Sequence, residues 1–327
     1  MGRSKPSQIL GNRALLLLLH VPLCSLNAFA ADPPAWSYVQ RAGKIELQRS
    51  GQLITAVHFG RHWDKPFLHP LVTPSGIQLS RRWPVEPSEE KFKDHPWHRG
   101  LWWGHGDING VDFWRELEVG KTGKLILSEA PRVDCTQDHC LVDLVLWLQP
   151  PSGDPIGTVR ERFTVWDQLP LRVIDAEISV AADRGRDLRF GDTEDGGFAV
   201  RLTDPLREDQ GAQLVNSQGL KGTNQIWGKP ARWVHYSAQL ASGRCGVVMF
   251  DHPGNVRHPT RWHARGYGLC SANPFCLADF TGDRKQDGSY TLPAGQLLRL
   301  RYRVILHEGD LPAARIEELY TQFINQD

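Results

Sequence analysis

Apolar and polar residues alternate along most of the chain. The segment KIELQRSGQLITAVHFG, residues 44–60, alternates on both sides of a Ser-Gly pair, which predicts two strands joined in a hairpin. Further alternating runs lie at residues 124–135, 140–149, 157–167, 171–182, 198–204, 231–240, 244–251 and 297–309. Alternation buries one face of each strand and leaves the other face wetter, as in antiparallel sheets.

A helical pattern follows near the C-terminus. Asp310 can cap a helix and Pro312 is tolerated in its first turn. Apolar residues then recur at helical spacing, namely Ile316, Leu319, Tyr320, Phe323 and Ile324. No Pro- or Ser-rich linker divides the chain, and about a dozen strands in one domain usually form two large sheets packed face to face. We therefore predict an all-β fold, a large antiparallel β-sandwich with a C-terminal helix.

The N-terminal segment has the pattern of a secretory signal peptide. Arg3, Lys5 and Arg13 precede a short apolar run at 14–26, and Ala28-Phe29-Ala30 follows as a small-residue cleavage site. We expect cleavage after Ala30, export to the periplasm or beyond, and a single β-sandwich domain over residues 31–327. No second apolar stretch reaches membrane-spanning length, so we expect no membrane insertion after cleavage.

Charge gives no reason to expect a nucleic-acid partner. Without the three basic residues of the signal segment, 35 Lys and Arg stand against 37 Asp and Glu. Such a near-neutral chain lacks the electrostatic attraction that polyanion binding requires.

Five cysteines follow the signal segment. Cys135 and Cys140 flank a short turn between two strand-like runs, so they could close a hairpin, and Cys270 and Cys276 could close a small loop. Cys245 reads as a buried thiol. The alternative is that several of them are simply small buried side chains.

The first segment that suggests chemistry is DHPWHRGLWWGHGDINGVDFW, residues 94–114. Its glycines indicate a turning loop, and His98, His105 and Asp107 could converge as metal ligands or proton-transfer groups, with His95 just upstream. The spacing is not an established zinc pattern, so a metal stays open. Indole rings offer flat apolar faces for sugars. The candidates for that role are Trp102, Trp103 and Trp114; the alternative is that they belong to the core.

Two more clusters carry similar chemistry. In GDTEDGGFAVRL, residues 191–202, Asp195 could act as a general base or orient an imidazole, with Arg201 on the strand that follows. The alternative is a solvated acidic turn. The segment at 250–275, FDHPGNVRHPTRWHARGYGLCSANPF, carries further histidines and arginines: His252, His258, His263, Arg257, Arg261 and Arg265.

If the two histidine-rich segments meet, they would form a cationic pocket with aromatic walls, in which arginine forks match a carboxylate or vicinal hydroxyls. The predicted catalytic residues are His98, His105, Asp107, Asp195, His258 and His263. The predicted substrate-binding residues are Trp102, Trp103, Trp114, Arg201, Arg257 and Arg261.

The chain resembles the PmoA-like family of exported bacterial proteins, which carries the label "methane oxygenase" and is essentially a domain of unknown function. The resemblance rests on HPWHRGLWWGHGDINGVDFW, GDTEDGGFAVRL, GKPARWV, FDHPGNVRHPTRWHARGYGLCSANPF and LPAGQLLRLRYRVILHEG, in that order. It implies an architecture similar to galactose-mutarotase-like supersandwich proteins. The chain departs from the family at Trp97, where a histidine is typical, at Glu194-Asp195, where Lys-Glu is usual, and at His235, where an aspartate is common.

Three functions fit these patterns. The first is an exported carbohydrate-active enzyme that uses His and Asp acid–base chemistry on a sugar or sugar acid, as an epimerase, lyase or hydrolase. The second is a non-catalytic carbohydrate-binding protein on the same scaffold. The third is a metal-dependent oxygenase, as the family label implies. The sequence leaves the substrate, the reaction and any cofactor open.

Overall fold

The computed structural model describes residues 1–3, 36–117 and 120–326. The predicted signal peptide and its cleavage site therefore lie almost wholly outside the described residues, and both stay predictions. The described part of residues 34–327 forms one compact unit.

The described residues contain nineteen strands, three short or medium α-helices and two 3₁₀ turns. The strands are β1 (Trp36–Arg41), β2 (Lys44–Arg49), β3 (Gln52–His58), β4 (Phe67–Leu68), β5 (Leu101–His105), β6 (Lys124–Leu127), β7 (Arg132–Cys135), β8 (His139–Gln149), β9 (Gly157–Gln168), β10 (Leu171–Ala181), β11 (Leu188–Phe190), β12 (Gly196–Arg201), β13 (Gln213–Asn216), β14 (Trp233–Leu240), β15 (Gly243–Asp251), β16 (Arg261–Arg265), β17 (Leu269–Asn273), β18 (Tyr290–Leu292) and β19 (Leu297–Glu308). The helices are α1 (Thr223–Ile226), α2 (Ala278–Thr281) and α3 (Ala313–Ile324), and the 3₁₀ turns are Asp204–Leu206 and Glu208–Gln210.

Two large antiparallel sheets make up the sandwich. The eight-stranded sheet runs in the order β1-β2-β3-β4-β5-β12-β17-β16. The nine-stranded sheet runs β13-β14-β15-β19-β10-β9-β8-β6, with β7 paired to β8. The predicted hairpin at 44–60 is β2 and β3, whose strands pair antiparallel. The predicted fold class, a large antiparallel sandwich with a C-terminal helix, is confirmed.

The core forms where the alternating apolar faces of the two sheets meet. Strand β9 shows the pattern, since Val159, Phe163 and Val165 are fully buried while the residues between them are partly exposed. Glu161 stands on the same inward face, and neither of its carboxyl oxygens has a hydrogen-bond partner. The inward face of β9 is therefore apolar apart from one buried acid, Glu161.

Helix α3 packs its apolar stripe on the outer face of the nine-stranded sheet. Ile316, Leu319, Tyr320 and Phe323 lie against Val173, Trp233, Val248, Phe250 and Ile305. The helix begins later than the sequence predicted, because Pro312 holds the N-cap position and Asp310 instead pairs with Arg244 at 3.0 Å.

One of the two predicted disulfides is present. Cys135 and Cys140 are bridged across the β7–β8 hairpin. Cys270 and Cys276 are both free and buried, so the prediction of a small loop closed between them is wrong. Cys270 belongs to β17 and packs into the sandwich core, whereas Cys276 lies in the loop beyond that strand. Cys245 is a buried free thiol, as expected.

Among the described residues, no helix combines the length and apolar character that a bilayer crossing needs.

Candidate functional site

Three tryptophans expected to bind substrate lie inside the protein. Trp103 points from β5 into the sandwich core. Trp102 points to the other side of β5, where loops cover it, and it packs there with Trp114, Phe67 and Leu269. All three indoles are at most 1 % exposed, so they cannot stack on a ligand. The interpretation as core residues is the right one, and Trp102 and Trp114, which contact His98 under the His95 ring, form the floor beneath the site.

Above this floor the three predicted clusters meet in one cavity of about 330 Å³. That volume lies within the range of small-molecule sites, about 300–1,000 Å³. The segment 94–114 supplies His95 and Trp97, and Arg115 directly follows it. The acidic turn supplies Glu194 and Asp195, and the third segment supplies His263, Arg265 and Tyr267. The two histidine-rich segments therefore share one cleft on the outer face of the eight-stranded sheet.

His95 has the geometry of a proton-transfer group. Its Nδ1 lies 2.9 Å from Oδ1 of Asp94. Because a carboxylate only accepts, Nδ1 donates this hydrogen bond, and in the neutral ring the lone pair is then on Nε2. The ring stacks between His98, at 4.8 Å, and Tyr267, at 5.6 Å, while Trp97 meets it edge-on.

The backbone at His95 is unusual for a residue with a side chain, because its φ is 43°. Such left-handed conformations are uncommon for residues other than glycine, although asparagine, aspartate and histidine adopt them more often than the rest. Arg81 holds this turn, since its guanidinium donates to the carbonyl oxygens of Asp94, His95 and His98. A buried arginine thus fixes the position of the His95 ring.

Asp94 orients His95 and is itself held by two arginines. Arg201 Nη2 lies 2.7 Å from Oδ1 of Asp94, and Arg81 Nη1 lies 3.1 Å from the same oxygen. Burial alone would raise the pKa of the Asp94 carboxyl, but the hydrogen bond from His95 and the charge of Arg201 outweigh it and hold that pKa well below its usual range. Asp94 is therefore a permanent carboxylate that keeps the His95 ring in one tautomer.

Asp195 is a second titratable group of the cavity. Its carboxylate pairs with the guanidinium of Arg115. Burial raises the pKa of the Asp195 carboxyl above its usual value, Arg115 opposes that rise, and the nearby charge of Glu194 adds to it. A carboxyl of this kind can hold a proton at a higher pH than an ordinary aspartate.

The glycines after Asp195 let β12 approach its neighbours. Gly197 has φ of 97°, and a Cβ atom there would lie 2.0 Å from the carbonyl oxygen of Ala272 on β17. A side chain at this position would push the strand away from β17. Gly197 thereby sets where Asp195 enters the cavity.

His263 lines the cavity as a neutral positioning residue. Its Nδ1 donates to the carbonyl of Glu194 at 2.8 Å, and its Nε2 accepts from Nε of Arg265 at 2.9 Å. Burial and the charge of Arg265 lower the pKa of His263 to about 3. Both ring nitrogens are occupied, so His263 holds Arg265 and the acidic turn in place and does not exchange protons.

Two other predicted catalytic histidines lie beneath the site. His98 accepts a hydrogen bond from Nε1 of Trp114 at 3.1 Å, and burial together with the charge of Arg201 lowers its pKa well below the usual value. His105 donates from Nε2 to the carbonyl of Gly191 at 2.9 Å, and burial lowers its pKa to about 4. Both rings are neutral and about 1 % exposed, so neither reaches a ligand.

The remaining predicted catalytic residues lie elsewhere. Asp107 closes a turn by accepting from the backbone N–H of Gly110 at 2.7 Å. His258 is bonded to Asp251 at 2.7 Å and lies beside Tyr320 of α3, away from the cavity. The sequence does not show which way each loop turns, so the prediction placed both Asp107 and His258 at the site.

The predicted substrate-binding arginines are also structural. Arg257 donates to the carbonyls of Pro274, Gly288 and Ser289. Arg261 donates to the carbonyl of Gly228 at 2.7 Å. Arg201 lies beneath the cavity wall, with its guanidinium carbon 4.7 Å from the centre of the Tyr267 ring.

Sequence reasoning missed most of the residues that line the cavity. His95, Trp97, Arg115 and Arg265 take the places assigned to other residues of the same types, and Tyr267 adds a type that was not expected there. The adjacent Asp94 and His95 were a usable signal of a site, because an acid beside an imidazole can accept a hydrogen bond from it. No local pattern marked Arg115, which reaches Asp195 from 80 residues away in the sequence.

No group of three or more His, Cys, Asp or Glu side chains is arranged to hold a metal ion within the described part of the chain. His235, one of the positions that departs from the family pattern, pairs instead with His307, the two Nε2 atoms lying 2.9 Å apart on the nine-stranded sheet.

Several solved structures are similar to this chain at low sequence identity. Galactose 1-epimerase from Lactobacillus acidophilus NCFM is 12 % identical over 86 % of this chain and 100 % of that chain, with a TM-score of 0.43. A putative aldose 1-epimerase from Escherichia coli K12 is 11 % identical over 85 % and 100 %, with a TM-score of 0.37. A GH36 α-galactosidase from Geobacillus stearothermophilus is 11 % identical over 84 % of this chain and 40 % of its own, with a TM-score of 0.39. No curated protein matches the chain.

A family model matches residues 44–321, which is most of the chain. The description of that model does not support the PmoA-like label that the motifs suggested. The chain belongs to the family of unknown function DUF6807.

Proposed function

We propose that this protein is an acid–base enzyme that acts on a monosaccharide or sugar acid bound in the cavity. The observation that supports this most directly is the pairing of two different proton-transfer groups in one cavity, His95 held by Asp94 and Asp195 held by Arg115. A core has no need of such groups, whereas a proton-transfer site requires them.

The walls of the cavity suit a sugar. Trp97 and Tyr267 are partly exposed aromatic residues on its lining, and Arg115, Glu194 and Arg265 supply donors and acceptors around them. Aromatic faces pack against the apolar C–H faces of a sugar ring, and charged side chains bind its hydroxyls. This combination supports a carbohydrate over a wholly apolar ligand.

The two proton-transfer groups differ in what they can do. The Nε2 lone pair of His95 can accept a proton from a substrate O–H or C–H, while Asp94 stabilises the imidazolium that forms. Asp195, with its raised pKa, can carry the proton that the substrate receives. The proton that leaves the substrate ends on His95, and the proton that arrives comes from Asp195.

We also propose that the protein is exported. The Cys135–Cys140 bridge supports this, because disulfides persist mainly in oxidising compartments. Release of the N-terminal segment can be checked by mass spectrometry of protein recovered from the periplasm and from the medium.

The activity test uses proton NMR of purified protein with a panel of aldoses and uronic acids in heavy water. We expect faster anomeric interconversion, deuterium incorporation or a new product with at least one sugar. Asp195→Asn keeps the shape of the side chain but removes its proton chemistry, so turnover should fall about 10²–10⁴-fold.

Asp138→Asn, a change at an exposed loop residue, is the matched control and should leave turnover unchanged. Binding without any chemical change across the panel would instead identify a non-catalytic sugar-binding protein. Wild-type turnover in Asp195→Asn would remove Asp195 from the mechanism.

A further inference from the structure

Beneath the cavity lies a group of buried cations that has too few counter-charges. Lys65, Arg81, Arg99 and Arg201 are each at most 3 % exposed. In the described residues their ion pairs involve only two carboxylates. Glu116 pairs with Lys65 and Arg99, and Asp94 pairs with Arg81 and Arg201. Four positive charges therefore share two negative ones.

Two further acids whose charges act on these cations, Asp64 and Glu90, interact directly with other groups. Asp64 pairs with the more exposed Lys124 at 2.6 Å. Glu90 accepts from the backbone N–H groups of Arg82 and Trp83 and from the hydroxyl of Thr203. They weaken the surplus of positive charge under the cavity without forming an ion pair with any of the four cations.

Part of this surplus lies directly behind the cavity wall. Two guanidinium nitrogens of Arg201, Nε and Nη1, are buried and have no hydrogen-bond partner. The guanidinium faces the ring of Tyr267, whose other contacts include His95 and the cavity. An uncompensated buried charge is unfavourable, and a ligand of opposite charge relieves it.

The acids at the wall pair with the wall's own arginines, and within the described chain none of them forms an ion pair with the four buried cations. Arg115 pairs with Asp195 and with Asp112, and Arg265 pairs with Glu194. Arg115 is 40 % exposed at the rim, and its guanidinium is paired with the carboxylates of Asp195 and Asp112. These ion pairs show that planar carboxylates fit against Arg115, and a ligand carboxylate there takes the place of one of them.

We infer that the ligand of this cavity is a sugar carboxylate, a uronic or aldonic acid, whose carboxylate binds Arg115 over the four buried cations. This inference rests on the proposed function, since it names the substrate class of the same site. The added negative charge beside Asp195 favours protonation of that residue, so binding should be accompanied by proton uptake.

The test is isothermal titration calorimetry of the wild-type protein with D-glucuronate, D-galacturonate and the matching neutral sugars, D-glucose and D-galactose. At least one uronate should bind about tenfold or more tightly than its neutral counterpart. Its apparent binding enthalpy should change between buffers of different ionisation enthalpy, which reports proton uptake. Propionate, a carboxylate without a sugar ring, should bind much more weakly than the uronate.

Arg115→Gln should remove the preference for the uronate, and Arg132→Gln, at an exposed arginine on β7, should keep it. Equal binding of uronates and neutral sugars would overturn the inference and leave the proposed function standing. Equal binding of propionate and uronate, or no binding of any sugar, would overturn both. Retention of the uronate preference in Arg115→Gln would also contradict the inference.

Discussion

Two Asp–His pairs in this protein have the same chemistry and opposite surroundings. In the cavity, Asp94 lies 2.9 Å from His95, and the imidazole is 41 % exposed. Near α3, Asp251 lies 2.7 Å from His258, and Asp251 is fully buried. The first pair presents a ring nitrogen to a cleft, whereas in the second the carboxylate is fully buried and the ring, 17 % exposed, lies against Tyr320.

The partners of each carboxylate explain the difference. Asp251 also accepts from the backbone N–H of Thr260 and from the side chain of Asn255, both at 2.8 Å, so it ties a loop to the end of β15. Asp94 is held by buried arginines and serves one imidazole. An Asp–His pair therefore supports catalysis only where the ring can meet a ligand.

The most sensitive test of this comparison exchanges one histidine in each pair. His95→Asn, in which asparagine tolerates the left-handed backbone, should lower turnover about 10²–10⁴-fold by removing the proton-transfer group. His258→Asn should leave turnover close to that of the wild type. The measurement is steady-state kinetics with the sugar identified by NMR; equal losses in both variants would refute the distinction.

A second test measures how much the pair of Asp251 and His258 contributes to the stability of the fold. Asp251→Ala leaves buried donors of His258, Thr260 and Asn255 without an acceptor, so the free energy of unfolding should fall by about 3 kcal/mol. Denaturant titration followed by circular dichroism gives the value. Asp138→Ala, on an exposed loop, is the control, and a similar small change in both would show that Asp251 is not structural.

A third carboxyl group sharpens the comparison, because Glu161 is buried without a histidine or any other partner. Burial raises the pKa of Glu161 from 4.5 to about 8. The unfolded chain releases this proton first, so stability is lost as the pH rises from about 4.5 to about 8. Glu161→Gln should abolish this dependence and increase the free energy of unfolding at pH 8 by about 2–4 kcal/mol.

Chemical denaturation across that pH range tests the Glu161 prediction, with Glu129→Gln, an exposed acid, as the control. If wild type and Glu161→Gln show the same dependence on pH, Glu161 has a partner at high pH that neutralises its charge.

The smallest expected effect concerns the helix that encloses the second pair. The hydroxyl of Tyr320 donates to the backbone carbonyl of Asp251 at 3.2 Å. Tyr320→Phe should therefore cost about 1 kcal/mol of stability and leave turnover unchanged. Thermal unfolding measures the change in stability, and the sugar assay measures turnover. A large loss of turnover would connect α3 to the cavity.

The sandwich could be predicted from the sequence because strand periodicity is a local property. The alternation in residues 44–60 and in β9 records which face is buried, and two-sheet packing follows from the number of such strands. The meeting of the two histidine-rich segments was also predictable as a hypothesis, since residues of one chemistry were concentrated in both.

The assignment of individual residues could not be predicted in the same way. Trp102 and Trp103 are neighbours on β5 and point to opposite sides, yet both are buried, because loops cover the outer face. Arg261 and Arg265 belong to the same strand, and only Arg265 lines the cavity. These outcomes depend on contacts between distant segments, which periodicity and spacing do not record.

The backbone of His95 has a practical consequence for anyone who engineers this protein. A left-handed residue with a side chain costs about 1 kcal/mol or more, and glycine at the same position would relieve that cost. Libraries selected only for heat resistance should therefore enrich replacements of His95 and lose turnover as they do so. Thermostable variants of this scaffold would need selection for both properties at once.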